Sequence, residues 1–265
     1  MNWLQVAIIS AAVALFFVLY LGCDTKSNKQ QALEKSRAMA IESTDINSIL
    51  QAAKSQLTAL EGSELLALEQ QLESAGTDEA KVAALKGLSG VWYQLGQPAI
   101  AGTYAQNIAE LTGTEEAWSI TGTTYAICLQ NTQEDKVRSY CMNRAVKAFE
   151  NAISINPENL AHRVNLALCY TENPPQDNPM KGILMLRALN EQQPDNVLVL
   201  NTLARLALKT NQFDRAVERL EQSYSIEPQN PNTVCLLAQA YQGSGQSAKA
   251  SEFAQKCKAL SEGNS

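Results

Sequence analysis

The segment RAVKAFENAISINPEN at 144–159 returns, respelled, as RAVERLEQSYSIEPQN at 215–230. A helix written twice in one chain is not two separate ways of filling a core; it is one structural unit used again. The copies begin 71 residues apart, which is two periods of 34 residues and three residues more. Offsets are kept within each copy: Ala145, Phe149 and Pro157 in one, Ala216, Leu220 and Pro228 in the other. The apolar steps of three and four make an amphipathic helix, and the proline, lacking an N–H, ends it. The other half of the unit lies upstream. From Val197, the residues Leu200, Leu203, Ala204 and Ala207 form a second apolar stripe, and Asn211 stands at the turn, where a left-handed backbone suits Gly or Asn. Each unit is therefore a pair of amphipathic helices.

Numbering the unit so that the closing Pro is position 32 aligns the rest of the chain. The unit at Pro231 carries Val234, Leu237, Ala238, Tyr241, Gly245 and Ala250 at positions 4, 7, 8, 11, 15 and 20. Upstream, Trp118, Gly122 and Tyr125 hold positions 4, 8 and 11, with Ala145, Phe149, Ala152 and Pro157 at 20, 24, 27 and 32. That unit, 115–159, has eleven residues too many, around QNTQEDKVRSY, which are expected to lengthen both of its helices. The three extra residues between the duplicated helices lie in TENPPQDNPMKG, a longer turn with Asn178 as expected N-cap and Pro179 as first helical residue. A degenerate first unit starts near Val82, with Leu85, Leu88, Trp92, Gly96 and Ala101 in register and Gly113 where the proline would stand. Small residues at positions 8 and 20 let two helices cross closely, so Ala204, Ala216, Ala238 and Ala250 are expected to be buried.

The run Trp118, Gly122, Tyr125, Ala145, Phe149 and Pro157 resembles the tetratricopeptide repeat family, whose 34-residue pattern is W-x2-L-G-x2-Y, A-x3-F, P. The resemblance covers residues 82–264 and implies an all-α, right-handed α-solenoid of about five helix pairs, at 82–114, 115–159, 160–196, 197–230 and 231–264 within 77–265. It also implies a concave groove lined by the first helix of each pair, with positions 2, 5, 6, 9, 12 and 13 facing a peptide. Carried over, these positions give Asn165 with Val164 and Leu168; Asn201, Thr202, Arg205 and Lys209; and Asn232, Cys235, Leu236 and Gln239. Asn165, Asn201, Arg205, Lys209 and Gln239 are the expected groove residues. Some members grip a C-terminal carboxylate with Lys and Asn at set positions. Here those positions hold Ser119, Thr123, Asn165, Leu198 and Thr202, and Asn165 alone agrees. Asn201, Arg205 and Lys209, spaced by four, are expected to share a helix face, and its two cations would favour an acidic partner segment.

Ahead of the array, VAIISAAVALFFVLYLG, Val6 to Gly22, has no charge and one polar residue, Ser10. Extended back to Trp3 it reaches the roughly 20 residues that span hydrocarbon. Residues 1–23 are expected to be a single-pass anchor in a bacterial membrane. The alternative is a lipoprotein signal with Cys23 acylated, which Gly22 fits and Tyr20 and Leu21 do not. Lys26, Lys29, Lys35 and Arg37 follow the span and lean toward a cytoplasmic body; the lipoprotein alternative places it in the periplasm. Residues 24–42 are expected to be a polar tether. Ile46, Ile49, Leu50, Ala53, Leu57 and Leu60, then GSELLALEQQLESA, suggest a helical hairpin over 43–76.

Chemistry is sparse. The net charge is −6 and no Lys/Arg cluster appears, which argues against nucleic acid. His162 is the single histidine. No Gly-rich phosphate loop, GxSxG elbow or zinc spacing is present, and no cofactor or metal is expected. Of the six cysteines, Cys169 and Cys257 fall where small apolar residues pack, as free thiols. Bridges Cys128–Cys141 or Cys235–Cys257 remain open if the body lies in an oxidising compartment. The expected function is a membrane-tethered, non-enzymatic scaffold that binds a protein or peptide during assembly or regulation of a membrane-associated complex. The alternative is a subunit of an enzyme complex that uses the repeats as a scaffold.

Overall fold

The computed structural model describes Trp3 and residues 46–262. The expected membrane segment apart from Trp3, the lipidation candidate Cys23 and the tether at 24–42 lie outside them. No helix among the described residues is long and apolar enough to cross a membrane. The chain divides into two units, Met1–Gln56 and Leu57–Ser265. In the first, helix α1 occupies 46–54, and the Ser55 hydroxyl after it donates to the Ala52 carbonyl at 2.7 Å.

The second unit is helical throughout its described residues. Helix α2, Ala59–Ser74, precedes five pairs. These are α3 (Asp78–Gln94) with α4 (Pro98–Thr112), α5 (Glu115–Asn131) with α6 (Asp135–Ile155), and α7 (Leu160–Glu172) with α8 (Lys181–Gln192). Then come α9 (Val197–Lys209) with α10 (Phe213–Ile226), and α11 (Pro231–Gly243) with α12 (Ser247–Glu262). Helix α2 packs on α3; its Leu68 side chain fills the space that a Cβ on Gly87 would take.

Local sequence sets where the helices begin. Every first helix starts on a side-chain cap: Thr77, Thr114, Asn159, Asn196 and Asn230 accept from the first-turn backbone. Such a cap satisfies amide donors that the helix leaves unpaired. Helices α4, α6, α8 and α10 have no side-chain cap. The turns leading into α4, α10 and α12 instead pass through a left-handed residue: Gly96, Asn211 with φ 57°, and Gly245. Asn211 is the non-glycine residue expected there. Helices α6 and α10 stop at Ile155 and Ile226, just ahead of Pro157 and Pro228.

The eleven extra residues of the second pair are all helical. Helix α5 is four residues longer than α9 and α6 seven longer than α10, and the turns keep their lengths. The start of α8 departs from expectation. Asn178 is not its cap and Pro179 is not its first residue; the helix begins at Lys181. The Lys181 amide donates to the Asn178 carbonyl at 3.1 Å, so these residues make a turn. The constraint comes from Gly182, where a Cβ would stand 2.4 Å from the Ala167 carbonyl. The helix is placed by that backbone approach to α7.

Small residues mark the crossings. Ala204 and Ala216 are fully buried, Ala250 nearly so, and Gly122 leaves room for the Phe149 ring. Ala238 is only half-buried, contrary to expectation, while Ala240 is fully buried. Ala204 shares one core cluster with Ala216, Val234 and Leu237, so it is enclosed by its own pair and the next. Ala238 packs against that same cluster from its edge, whereas Ala240 and Ala250 lie within it.

Successive first helices touch, α5 on α7, α7 on α9 and α9 on α11, whereas among second helices such contact is made by α4 and α6. From α5 onward the first-helix layer is the more closely spaced.

Candidate functional site

Position 5 of a first helix meets position 27 of its partner and position 3 of the next pair, and this junction has different chemistry in different repeats. In the third pair it is apolar, with Val164, Leu189 and Val199 in one buried cluster. In the fourth it is polar. The Asn201 amide donates to Thr233 Oγ1 at 2.8 Å, and its carbonyl accepts from Ser223 Oγ at 2.8 Å. Asn201 is 2% exposed and its hydrogen-bonding groups are occupied. It is an internal tie between the fourth and fifth pairs and does not face a ligand. Asn201 differs from Arg205, which is exposed on the same helix, because α11 brings Thr233 over that part of α9. Thr202 is buried too, donating to the Leu198 carbonyl.

In the last pair the same junction is covalent. Cys235 and Cys257 form a disulfide with Cα atoms 4.9 Å apart. A second bridge, Cys128–Cys141, joins α5 to α6 with Cα atoms 6.1 Å apart. Cys257 is therefore not the free packing thiol expected of it. Among the described residues Cys169 is the free thiol; it is buried, and burial pushes it up to about 12, so it stays protonated.

The remaining expected groove residues are dispersed. Asn165, half-buried on α7, lines a small recess of about 140 Å³ with Thr123 and Gln130 of α5. Arg205 is exposed on α9 and donates to Asn232 Oδ1 at 3.3 Å. Lys209 pairs with Glu172 at 2.8 Å, at the edge of a cleft that Arg205 does not line. Gln239 is exposed on α11. Asn201, Arg205 and Lys209 thus do not form one binding stripe.

His162 also has a structural position. It is 3% exposed, and its Nε2 lies 2.6 Å from Glu115 Oε1. Glu115 accepts from the Asn156 and Asn159 amides as well. These bonds, His162 first, hold the Glu115 carboxyl near 2. The cluster ties the start of α5 to the turn between α6 and α7. Among the described residues no three His, Cys, Asp or Glu side chains are placed to hold a metal ion.

A larger opening lies at the other end of the array. Helices α3 and α5 do not pack as later first helices do. The added turns of α6 carry Tyr140 back to α4, where its hydroxyl meets Thr103 Oγ1 at 3.2 Å. The second helices are thus tied while the first helices stand apart. The result is a groove of about 650 Å³, walled by Val82 and Tyr93 of α3 and by Ile120 and Ile127 of α5, with Ala105 and Ile108 of α4 also lining it. Ile120 is 53% exposed and Tyr93 48%. Lys86 and Glu116, of opposite sign, line the same groove among Ser and Thr side chains. Sequence reasoning missed this site, although its signal was available: Ile120 and Ile127 stand at positions 6 and 13, two of the ligand-facing positions, where an exposed helix face would ordinarily be polar.

Residues 211–256, from the turn before α10 into α12, match the tetratricopeptide repeat family. No curated protein matches the chain. Among solved structures, the chain is similar to TTC0263, a thermophilic TPR protein of Thermus thermophilus, with 19% identity over 71% of this chain and 95% of that one and a TM-score of 0.49. A MamA protein structure shares 14% identity over 68% of this chain and 92% of its own, with a TM-score of 0.40. YrrB, described as a TPR protein with an unusual peptide-binding site, shares 13% over 73% and 92%, with a TM-score of 0.37.

Proposed function

We propose that this helix-pair scaffold holds a segment of a protein partner in the groove between α3 and α5, tethered at a bacterial membrane with its body in an oxidising compartment. Tetratricopeptide repeats bind proteins and peptides. The observation that carries the assignment is the apolar lining of the groove, where Ile120 and Tyr93 stay half in water. An isolated exposed isoleucine needs no explanation, but apolar walls facing each other across a gap fit recognition of an apolar stripe. The uncharged run Val6–Gly22 supports the tether. Two disulfides support the oxidising side, because cytosolic thiols are kept reduced. They outweigh the lean toward the cytoplasm given by the Lys and Arg residues after the span. Such a scaffold suits assembly or regulation of a membrane-associated complex.

The test uses full-length protein in its own host with a photo-crosslinking residue at position 120 or 239. The proposal expects one defined adduct from 120, lost in an otherwise identical chain carrying Tyr93→Glu, with helicity unchanged. An adduct that survives Tyr93→Glu, or that arises from 239 alone, would overturn the placement.

A further inference from the structure

A second cleft opens on the opposite layer. Helices α8 and α10 do not pack together as α4 and α6 do, and about 700 Å³ lies between them. Its apolar part is made by Leu206 and Ala207 of α9, with Ile183 and the half-exposed Met180 toward α8. Arg187 lines it from α8, and Arg215 and Arg219 from α10. The size is that of a ligand cleft; its base is apolar and its walls carry charged and polar side chains.

The arginines are what make this cleft unusual in a chain of net charge −6. Arg215 donates to Gln212 Oε1 at 2.6 Å and Arg219 to the Arg215 carbonyl at 3.2 Å. Neither bond neutralises charge, and none of the three arginines has a carboxylate within ion-pair distance among the described residues. The nearby carboxylate Glu172 is taken by Lys209. Glu218, adjacent to Arg219 in sequence, is the acidic group whose field reaches it. Partial burial, and the charges of Arg215 and Arg187 in addition, press Arg219 below the usual guanidinium range. Like charges gathered beside apolar surface cost stability unless a partner of opposite charge relieves them.

We infer that the cleft between α8 and α10 seats an acidic amphipathic helix of a protein partner, with its apolar stripe on Leu206 and Ala207 and carboxylates flanking that stripe paired with Arg187 on one wall and Arg215 and Arg219 on the other. The distribution of charge selects this occupant. The cations stand on both walls of the apolar base and, along α10, one helical turn apart, whereas a single phosphate or lipid headgroup makes no use of the apolar base between them. A helix with acidic residues on both sides of an apolar stripe matches that layout. The site is separate from the groove between α3 and α5, so either can fail without the other.

The experiment uses full-length protein in neutral detergent and a fluorescein-labelled model helix bearing leucines on one face and glutamates beside them. A second helix with glutamine for every glutamate is the control, read by fluorescence anisotropy. The acidic helix is expected to bind at least roughly tenfold more tightly than the control, and Arg215→Glu with Arg219→Glu should remove about that advantage. Tyr93→Glu should leave this binding unchanged. If the double reversal lowers helicity, Arg187→Gln, at an exposed position, reads the same loss. Equal binding of the glutamine helix, or acidic-helix binding that survives the reversals, overturns the inference. Displacement of the helix by inorganic phosphate or by a soluble short-chain phosphatidylglycerol, with no dependence on the leucine face, would assign the cleft to a small anion or a lipid and overturn it equally.

Discussion

Replacing Asn201 by Val tests whether the polar junction of the fourth pair is a structural tie. The side chain is 2% exposed and makes bonds of 2.8 Å to both Thr233 Oγ1 and Ser223 Oγ. After Asn201→Val those hydroxyls keep each other, at 3.0 Å, but lose the amide. Leaving buried polar groups short of partners costs about 1–3 kcal/mol. A loss of ~2 kcal/mol lowers the melting midpoint by roughly 4–8 °C for a unit of this size. The variant Asn201→Val/Ser223→Ala/Thr233→Val removes all three polar groups together. Each replacement has a precedent in this chain: Val164 at position 5, Ala152 at position 27 and Val199 at position 3. The triple variant is therefore expected to return to within about 1 kcal/mol of the parent. Circular dichroism melts of the parent and the two variants decide it. If the triple variant is as unstable as the single, the cost is steric and hydrogen bonding is not the reason for these residues. A single variant as stable as the parent would show that Asn201 has no structural role and reopen it as a ligand contact.

Two further outcomes follow from the ties described above. Alkylation in denaturant without reductant should modify Cys169 and spare Cys128, Cys141, Cys235 and Cys257; reduction should then destabilise the last pair by about 2–4 kcal/mol through loss of the Cys235–Cys257 bridge, and modification of all four without reductant would refute both bridges. For pH, Glu115 is held near 2 in the folded chain against an ordinary 4.5, so its contribution is complete above the ordinary value and is lost as pH falls through about 2; the melting midpoint of the parent should fall more steeply over that window than that of Glu115→Gln, and parallel curves would count against the cluster around His162.

The repeat itself was legible because its signals are local. Steps of three and four mark helix faces, Asn211 marks a left-handed turn, and Pro157 and Pro228 mark ends, each acting within a few residues of chain. The eleven surplus residues of the second pair could be placed because the marks on either side of them, Tyr125 at position 11 and Ala145 at position 20, stay in register. The start of α8 was not legible, because a backbone approach between Gly182 and Ala167 set it, and the Asn-Pro signal at 178–179 did not prevail. The candidate binding surfaces depended on tertiary structure for the same reason. Whether position 5 faces solvent or core is decided by how closely the next pair stacks, which is why Asn201 is buried under Thr233. Whether an apolar residue at position 6 lies in a groove is decided by the gap between α3 and α5, which lies opposite the contact of Tyr140 on α6 with Thr103 on α4. Sequence periodicity specifies the faces of each helix; the spacing between helices, set by contacts far apart in the chain, determines which of those faces is left for a partner.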